Sequence, residues 1–139
     1  MNRGALWILL ALLIVVHSAP SPTNLLLVYV NNWDGDDDAN GVQDSLQIAQ
    51  YYSNAYGVPS NNLLGVALTD FTQFESYSTF YTNLITPLNA KLTTLGKQNI
   101  QAITLIYPMP WKINGFSGSV DSLIWFPSVF TSMILITKN

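Results

Sequence analysis

The chain has 139 residues, 49% of them hydrophobic and 9% charged, with a formal net charge of −3. An ordinary globular chain is about a quarter charged, so this composition excludes a disordered tail, a coiled coil and a basic nucleic-acid arm. Cysteine is absent, and the single histidine, His17, falls in a segment expected to be removed. A mature chain lacking both has no disulfide framework, no thiolate metal site and no Ser-His or Cys-His hydrolase of its own.

Met1 to Arg3 is a short positive start, and Ala5 to Val16 is an unbroken apolar run. As a helix that run would rise about 18 Å, short of the ~30 Å hydrocarbon core of a bilayer. Small or polar residues, His17 to Ser21, follow it, completing the pattern of a secretory signal peptide. Val16 and Ser18 suit the small-residue positions before a cut, so residues 1–18 are expected to be cleaved and the protein exported. Residues 19–139 then form a single domain, with no stable membrane span expected in the mature chain.

Three strand-like runs follow, at Leu25–Val30, Leu63–Leu68 and Ile100–Tyr107. Their apolarity is continuous rather than alternating, which suits strands covered on both faces of a parallel sheet. Between the first two, Leu46, Ala49, Tyr52 and Tyr56 share one face of a helix over 45–56, stopped by Gly57 and Pro59. Between the second and third, Tyr77, Phe80, Tyr81, Leu84 and Leu88 keep helical spacing, with Leu92 and Leu95 continuing to Gly96. Thr72-Gln73-Phe74-Glu75 reads as a capping box opening that stretch. Pro87 predicts a kink, or a new segment with Pro87 in its first turn. The order β-α-β-α-β specifies a three-layer α/β fold of the Rossmann or flavodoxin-like kind, with a mostly parallel sheet.

In such sheets ligands bind beyond the carboxyl ends of the strands. The loops leaving those ends are 31–44, 69–72 and 108–121, and they hold most of the acidic residues together with Trp33, Trp111 and Lys112. Asn32, Trp33, Trp111 and Lys112 are the candidate ligand-binding residues. The Trp rings are either flat apolar platforms for a sugar or peptide or lids on the end of the sheet.

The first loop carries the most specific local pattern. From Asp36 it fits D-x-D-x-N-G-x-x-D, the oxygen-ligand spacing of a calcium loop. Asp36, Asp38 and Asn40 would supply side-chain oxygens, Gly41 the sharp turn, Val42 its carbonyl, and Asp44 a ligand directly or through water. A hard cation would also relieve the repulsion among Asp34, Asp36, Asp37 and Asp38. Position twelve is Gln47, where a bidentate Glu is usual, and Gln43 stands where an apolar residue normally pairs two such loops. The expected site is therefore weak, of the extracellular type. The structural alternative is an acidic turn with Asp44 or Ser45 as the helix N-cap. No Gly-rich phosphate fingerprint follows the first strand, so no nucleotide is expected.

Further pieces recur in a set order: Asn31-Asn32, Asp44-Ser45, Ala49, Tyr51-Tyr52, Tyr56-Gly57-Val58-Pro59 and Asn62, then Thr86-Pro87-Leu88, Pro110-Trp111-Lys112-Ile113 and Ser119-Val120-Asp121-Ser122. Together they resemble a family of secreted, mainly bacterial proteins with no assigned activity, over about residues 25–122. The first loop here is longer and more acidic than that family's short connection. The third strand also ends in Tyr107-Pro108-Met109-Pro110, where the family more often has a Gly before Val-Pro. Members of the family are longer, which implies that this chain is the N-terminal portion of a larger domain. The apolar run Leu123–Ile136 is then a helix or strand of a larger sheet. A lipid-anchor signal with Ser117-Gly118-Ser119 as its small-residue site fits the polar terminus poorly.

Lys112 matches a basic residue of the family at the edge of the third strand, and Asp121 follows a Gly-rich stretch. With Ser122 they could bind a polar substrate or orient water; the structural alternative is an ion pair or an N-cap. Two functional classes follow beside the calcium loop. One is a secreted hydrolase-like enzyme whose catalytic groups are drawn from Asp44, Lys112, Asp121 and Ser122. The other is an extracellular carbohydrate- or peptide-binding module.

Overall fold

Leu25-Leu26-Leu27-Val28-Tyr29-Val30 is apolar at every position because the strand it forms is covered on both faces. The computed structural model describes residues 20–117, 119–120 and, for the backbone, 132–136. Residues 1–18, expected to be a signal peptide, and Asp121 and Ser122 lie outside the described residues. Among the described residues, β1 is Leu25–Val30, α1 Asp44–Tyr56, β2 Leu63–Val66, α2 Tyr77–Phe80, α3 Thr86–Leu95, β3 Ala102–Ile106 and β4 Ser132–Ile136.

The four strands are parallel, in the order β2-β1-β3-β4. β1 is central: Leu27 pairs with Leu63 on one side and with Thr104 on the other. The chain steps to one side from β1 to β2, then back past β1 to β3. Right-handed crossovers send the helices of these two steps to opposite faces of the sheet, and the core divides accordingly. Leu26, Val28, Val30, Ile103 and Leu105 pack with Phe80, Leu84, Leu88 and Leu92 on one face. Leu27 and Ile106 pack with Ala49 and Val58 on the other, flanked by Ile48 and Tyr52. The α/β expectation holds, and the apolar run 123–136 yields a parallel strand over its last residues.

Leu84, Leu88 and Leu92, spaced four apart, are fully buried. Each contributes about 1.5–3 kcal/mol of burial. Pro87 lies in the first turn of α3, preceded by a π-helical turn over Tyr81–Ile85. The Thr86 N–H reaches back to the Tyr81 carbonyl, and its hydroxyl donates to the same oxygen at 3.1 Å. The wider turn makes room for a proline ring that would otherwise strike the carbonyl four residues earlier. Pro87 does sit in a first turn, as expected, but the backbone stays helical from Tyr77 to Leu95, carried through by the π-helical turn rather than broken.

Two starts differ from expectation. The second helical stretch opens at Ser76, whose hydroxyl accepts the Thr79 N–H at 3.1 Å. The capping box at Thr72–Glu75 does not form, because Thr72 gives its N–H and hydroxyl to Asp70 and Phe74 pairs with Ile113. At α1 the N-cap is Gln43, with no side-chain cap bond, rather than Asp44 or Ser45. The Ser45 hydroxyl accepts the Val30 N–H instead, at 3.0 Å. β2 and β3 are also shorter than their apolar runs, since Leu68 and Ile100 are buried off the ladder.

Candidate functional site at the carboxyl end of the sheet

The loop between β1 and α1 is pinned at both ends. Beyond the Val30–Ser45 bond, the Asp44 N–H donates to the Gly35 carbonyl at 2.9 Å. Within it, Ala39 and Gly41 adopt left-handed φ values of 54° and 82° and fold the chain back on itself. Gly41 takes the sharp turn expected of it.

That fold turns backbone donors onto the carboxylates. Asp36 accepts the Asn40 N–H at 3.1 Å and the Gly41 N–H at 2.8 Å, one on each oxygen. Asp38 accepts the Asn40 side-chain amide at 2.9 Å and the Gln47 amide at 3.0 Å. Asn40 Oδ1 in turn accepts the Val42 N–H at 2.8 Å. Asp44 is only 5% exposed and accepts the Asp37 N–H at 3.4 Å. The Gln47 amide holds the Asp38 carboxyl below its ordinary value; desolvation opposes it, and Asp36 and Asn40 add to the lowering.

One carboxylate oxygen each from Asp36, Asp38 and Asp44 lie within 4.8 Å of one another, close enough to hold a metal ion. Of the five expected ligands, these three converge. Asn40 and Val42 are joined to the same loop by the bonds just described. Beside the carboxylates lies an open cleft of about 310 Å³, lined by Asp37, Asp38, Asp44, Gln47 and Ile48. Ile48 has no counterpart in the calcium-loop spacing; it reaches the cleft because α1 begins at the loop's last acidic residue.

The candidate ligand-binding residues separate into two kinds. Asn32 donates its amide to the Leu68 carbonyl at 2.7 Å and accepts the Leu68 N–H at 2.9 Å. It extends the β1–β2 pairing past the ends of both strands, so that much of its hydrogen-bonding capacity is structural. Trp33 is partly buried against the core and meets Tyr107 edge to face, with centroids 5.2 Å apart. The Trp33 ring lies over Gly35 so closely that no side chain fits there. Trp33 therefore acts as a lid on the carboxyl ends of β1 and β3, the pair between which the chain's crossovers diverge. Neither Tyr107 nor Gly35 stood out in the sequence; the only signal was the aromatic-x-glycine spacing.

Trp111 is different, with 58% of its surface exposed and the Lys112 ammonium 5.0 Å from its ring centroid. Its loop is stitched down on both sides. Phe74 donates its N–H to the Lys112 carbonyl at 2.9 Å, and Val120 donates to the Trp111 carbonyl at 2.8 Å. Lys112 also bridges to Ser119. Asp70, after β2, stands apart from the acidic cluster. The Thr72 N–H and then its hydroxyl hold the Asp70 carboxyl below its ordinary value.

No helix of the described residues is long and apolar enough to cross a membrane. Comparison with family models, with curated proteins and with solved structures gave no match in any of the three.

Proposed function

We propose that this chain is an exported α/β module whose first loop binds calcium weakly and stiffens the ligand-facing end of the sheet. The observation that carries the reading is the approach of three carboxylate oxygens, from Asp36, Asp38 and Asp44, to within 4.8 Å of one another. A divalent ion there would take these oxygens first. Asn40 Oδ1 keeps a lone pair, and the Val42 carbonyl and water would complete an oxygen shell of the size calcium accepts. All of these ligands are hard oxygens, which favours calcium or magnesium over softer metals. The partly open, irregular arrangement favours calcium, because magnesium demands near-ideal octahedral geometry.

Export is supported by the signal-peptide pattern and by the resemblance to a secreted, mainly bacterial family. Gln47 supports low affinity: a neutral amide, already donating to Asp38, stands where a bidentate carboxylate would normally close the shell. Calorimetric titration of the folded chain with calcium, and separately with magnesium, tests the reading. A saturable calcium heat at millimolar concentration is expected; its absence would leave the loop as an acidic turn.

A second reading, an extracellular binding module, is favoured by Trp111. An exposed indole on a loop held by backbone bonds is a rigid platform for a sugar or peptide. Quenching of tryptophan fluorescence by oligosaccharides, lost in Trp111→Ala, would support it. The hydrolase-like alternative would draw on Asp44, which the calcium reading assigns to the ion.

A further inference from the structure

The chain contains two Asn-Gly dipeptides, Asn40-Gly41 and Asn114-Gly115, and the fold treats them in opposite ways. Asn-Gly is the dipeptide most prone to spontaneous deamidation, because glycine leaves the following backbone nitrogen unhindered. At Asn40 every reacting group is committed. The nucleophile, the Gly41 N–H, donates to Asp36 at 2.8 Å. The Asn40 oxygen accepts the Val42 N–H and its amide donates to Asp38. At Asn114 the reverse holds. Among the described residues, neither the Asn114 side-chain amide nor the Gly115 N–H has a hydrogen-bond partner. Both residues are exposed, and nothing lies within 4 Å of where a Gly115 side chain would begin. The turn rests on the Phe116 N–H to the Ile113 carbonyl at 3.1 Å and the Asn114 N–H to the Phe74 carbonyl at 2.8 Å.

We infer that Asn114 is a site of spontaneous deamidation in the folded protein, and that Asn40, with the same local sequence, is protected. The Gly115 nitrogen forms a bond to Asn114 Cγ, the Cγ–Nδ2 bond breaks, and the nitrogen's proton leaves with the amine as ammonia. One water then opens the resulting succinimide at either of its two C–N bonds, giving aspartate or isoaspartate. Either product adds a carboxylate two residues from Lys112, where it competes with the Trp111 ring for the ammonium. The isoaspartate also lengthens the backbone by one carbon in the turn that pairs with Phe74.

Incubating the folded full chain at mildly alkaline pH, followed by peptide mapping and isoaspartyl-methyltransferase labelling, tests this. The peptide containing Asn114 should gain the acid mass and the label several-fold faster than the one containing Asn40. In urea the two rates should converge, and Asn114→Gln should remove most of the label from the folded chain. Equal rates in the folded protein, a faster Asn40, or no conversion at Asn114 would each overturn the inference.

Discussion

The Ser45 hydroxyl, at the start of α1, accepts the backbone N–H of Val30, the last residue of β1, at 3.0 Å. This buried bond closes the chain around the acidic loop, so the loop's carboxylates are held between two anchored elements. Ser45→Ala leaves the Val30 N–H without its partner in a site that excludes water. Stability should fall by about 1–3 kcal/mol, read as a lower midpoint in urea, with an unchanged slope if the fold is kept.

The cation loop predicts a second pattern. Calcium that binds only the folded state raises its melting temperature by mass action. With Gln47 at position twelve, the dissociation constant should lie at ~10⁻⁴ to 10⁻³ M. Asp36→Asn combined with Asp38→Asn should abolish the thermal shift. Asp70→Asn should leave it intact, because Asp70 is no part of the three-carboxylate cluster.

Gln47→Glu tests the same geometry in the opposite direction. A carboxylate there could grip the ion with both oxygens, and affinity should rise on the order of tenfold, or ~1.4 kcal/mol. Without calcium the same change sets a negative charge against Asp38 in place of a donor. The variant should therefore be less stable than the parent in chelator and more stable in calcium, a crossing that scanning calorimetry would detect.

The pH dependence has a fixed sign. Asp38 and Asp70 have carboxyls lowered from an ordinary value of 3.8, by hydrogen bonds from Gln47 and Thr72 respectively. A folded-state value below the unfolded one means that the contribution is complete above 3.8 and is lost as pH falls through the lowered value. Both groups lie at the surface, so the effect is small. Asp70→Asn should flatten the acid limb of the stability curve, with a small loss of stability near neutrality and none below the lowered value.

The two loop tryptophans should separate cleanly. Trp33→Ala removes the lid that meets Tyr107 and should cost roughly 1–3 kcal/mol in chemical denaturation. Trp111→Ala should change stability by less than about 0.5 kcal/mol, because most of the ring already faces solvent. A ligand-binding defect in the Trp111 variant alone would assign the platform role to it.

Much of this architecture was legible in local pattern. Continuous apolar runs marked the sheet positions, Leu84, Leu88 and Leu92 marked the buried stripe, and Gly57 and Gly96 marked two helix ends. The spacing from Asp36 to Asp44 named a loop whose carboxylates do converge. These signals are local: each depends on the preferences of a few neighbouring residues and survives into the fold because the core rewards the same pattern. What the sequence could not reveal depended on partners distant in the chain. Ser45 ends up bonded to Val30 instead of capping its helix, Phe74 is drawn to Ile113 where a capping box was expected, and Asn32 clasps Leu68 across two strands. Trp33 becomes a lid because Tyr107, 74 residues later, arrives beside it on β3's side of the sheet. A polar or aromatic side chain can satisfy itself in several ways locally, and only the assembled sheet decides which partner is within reach.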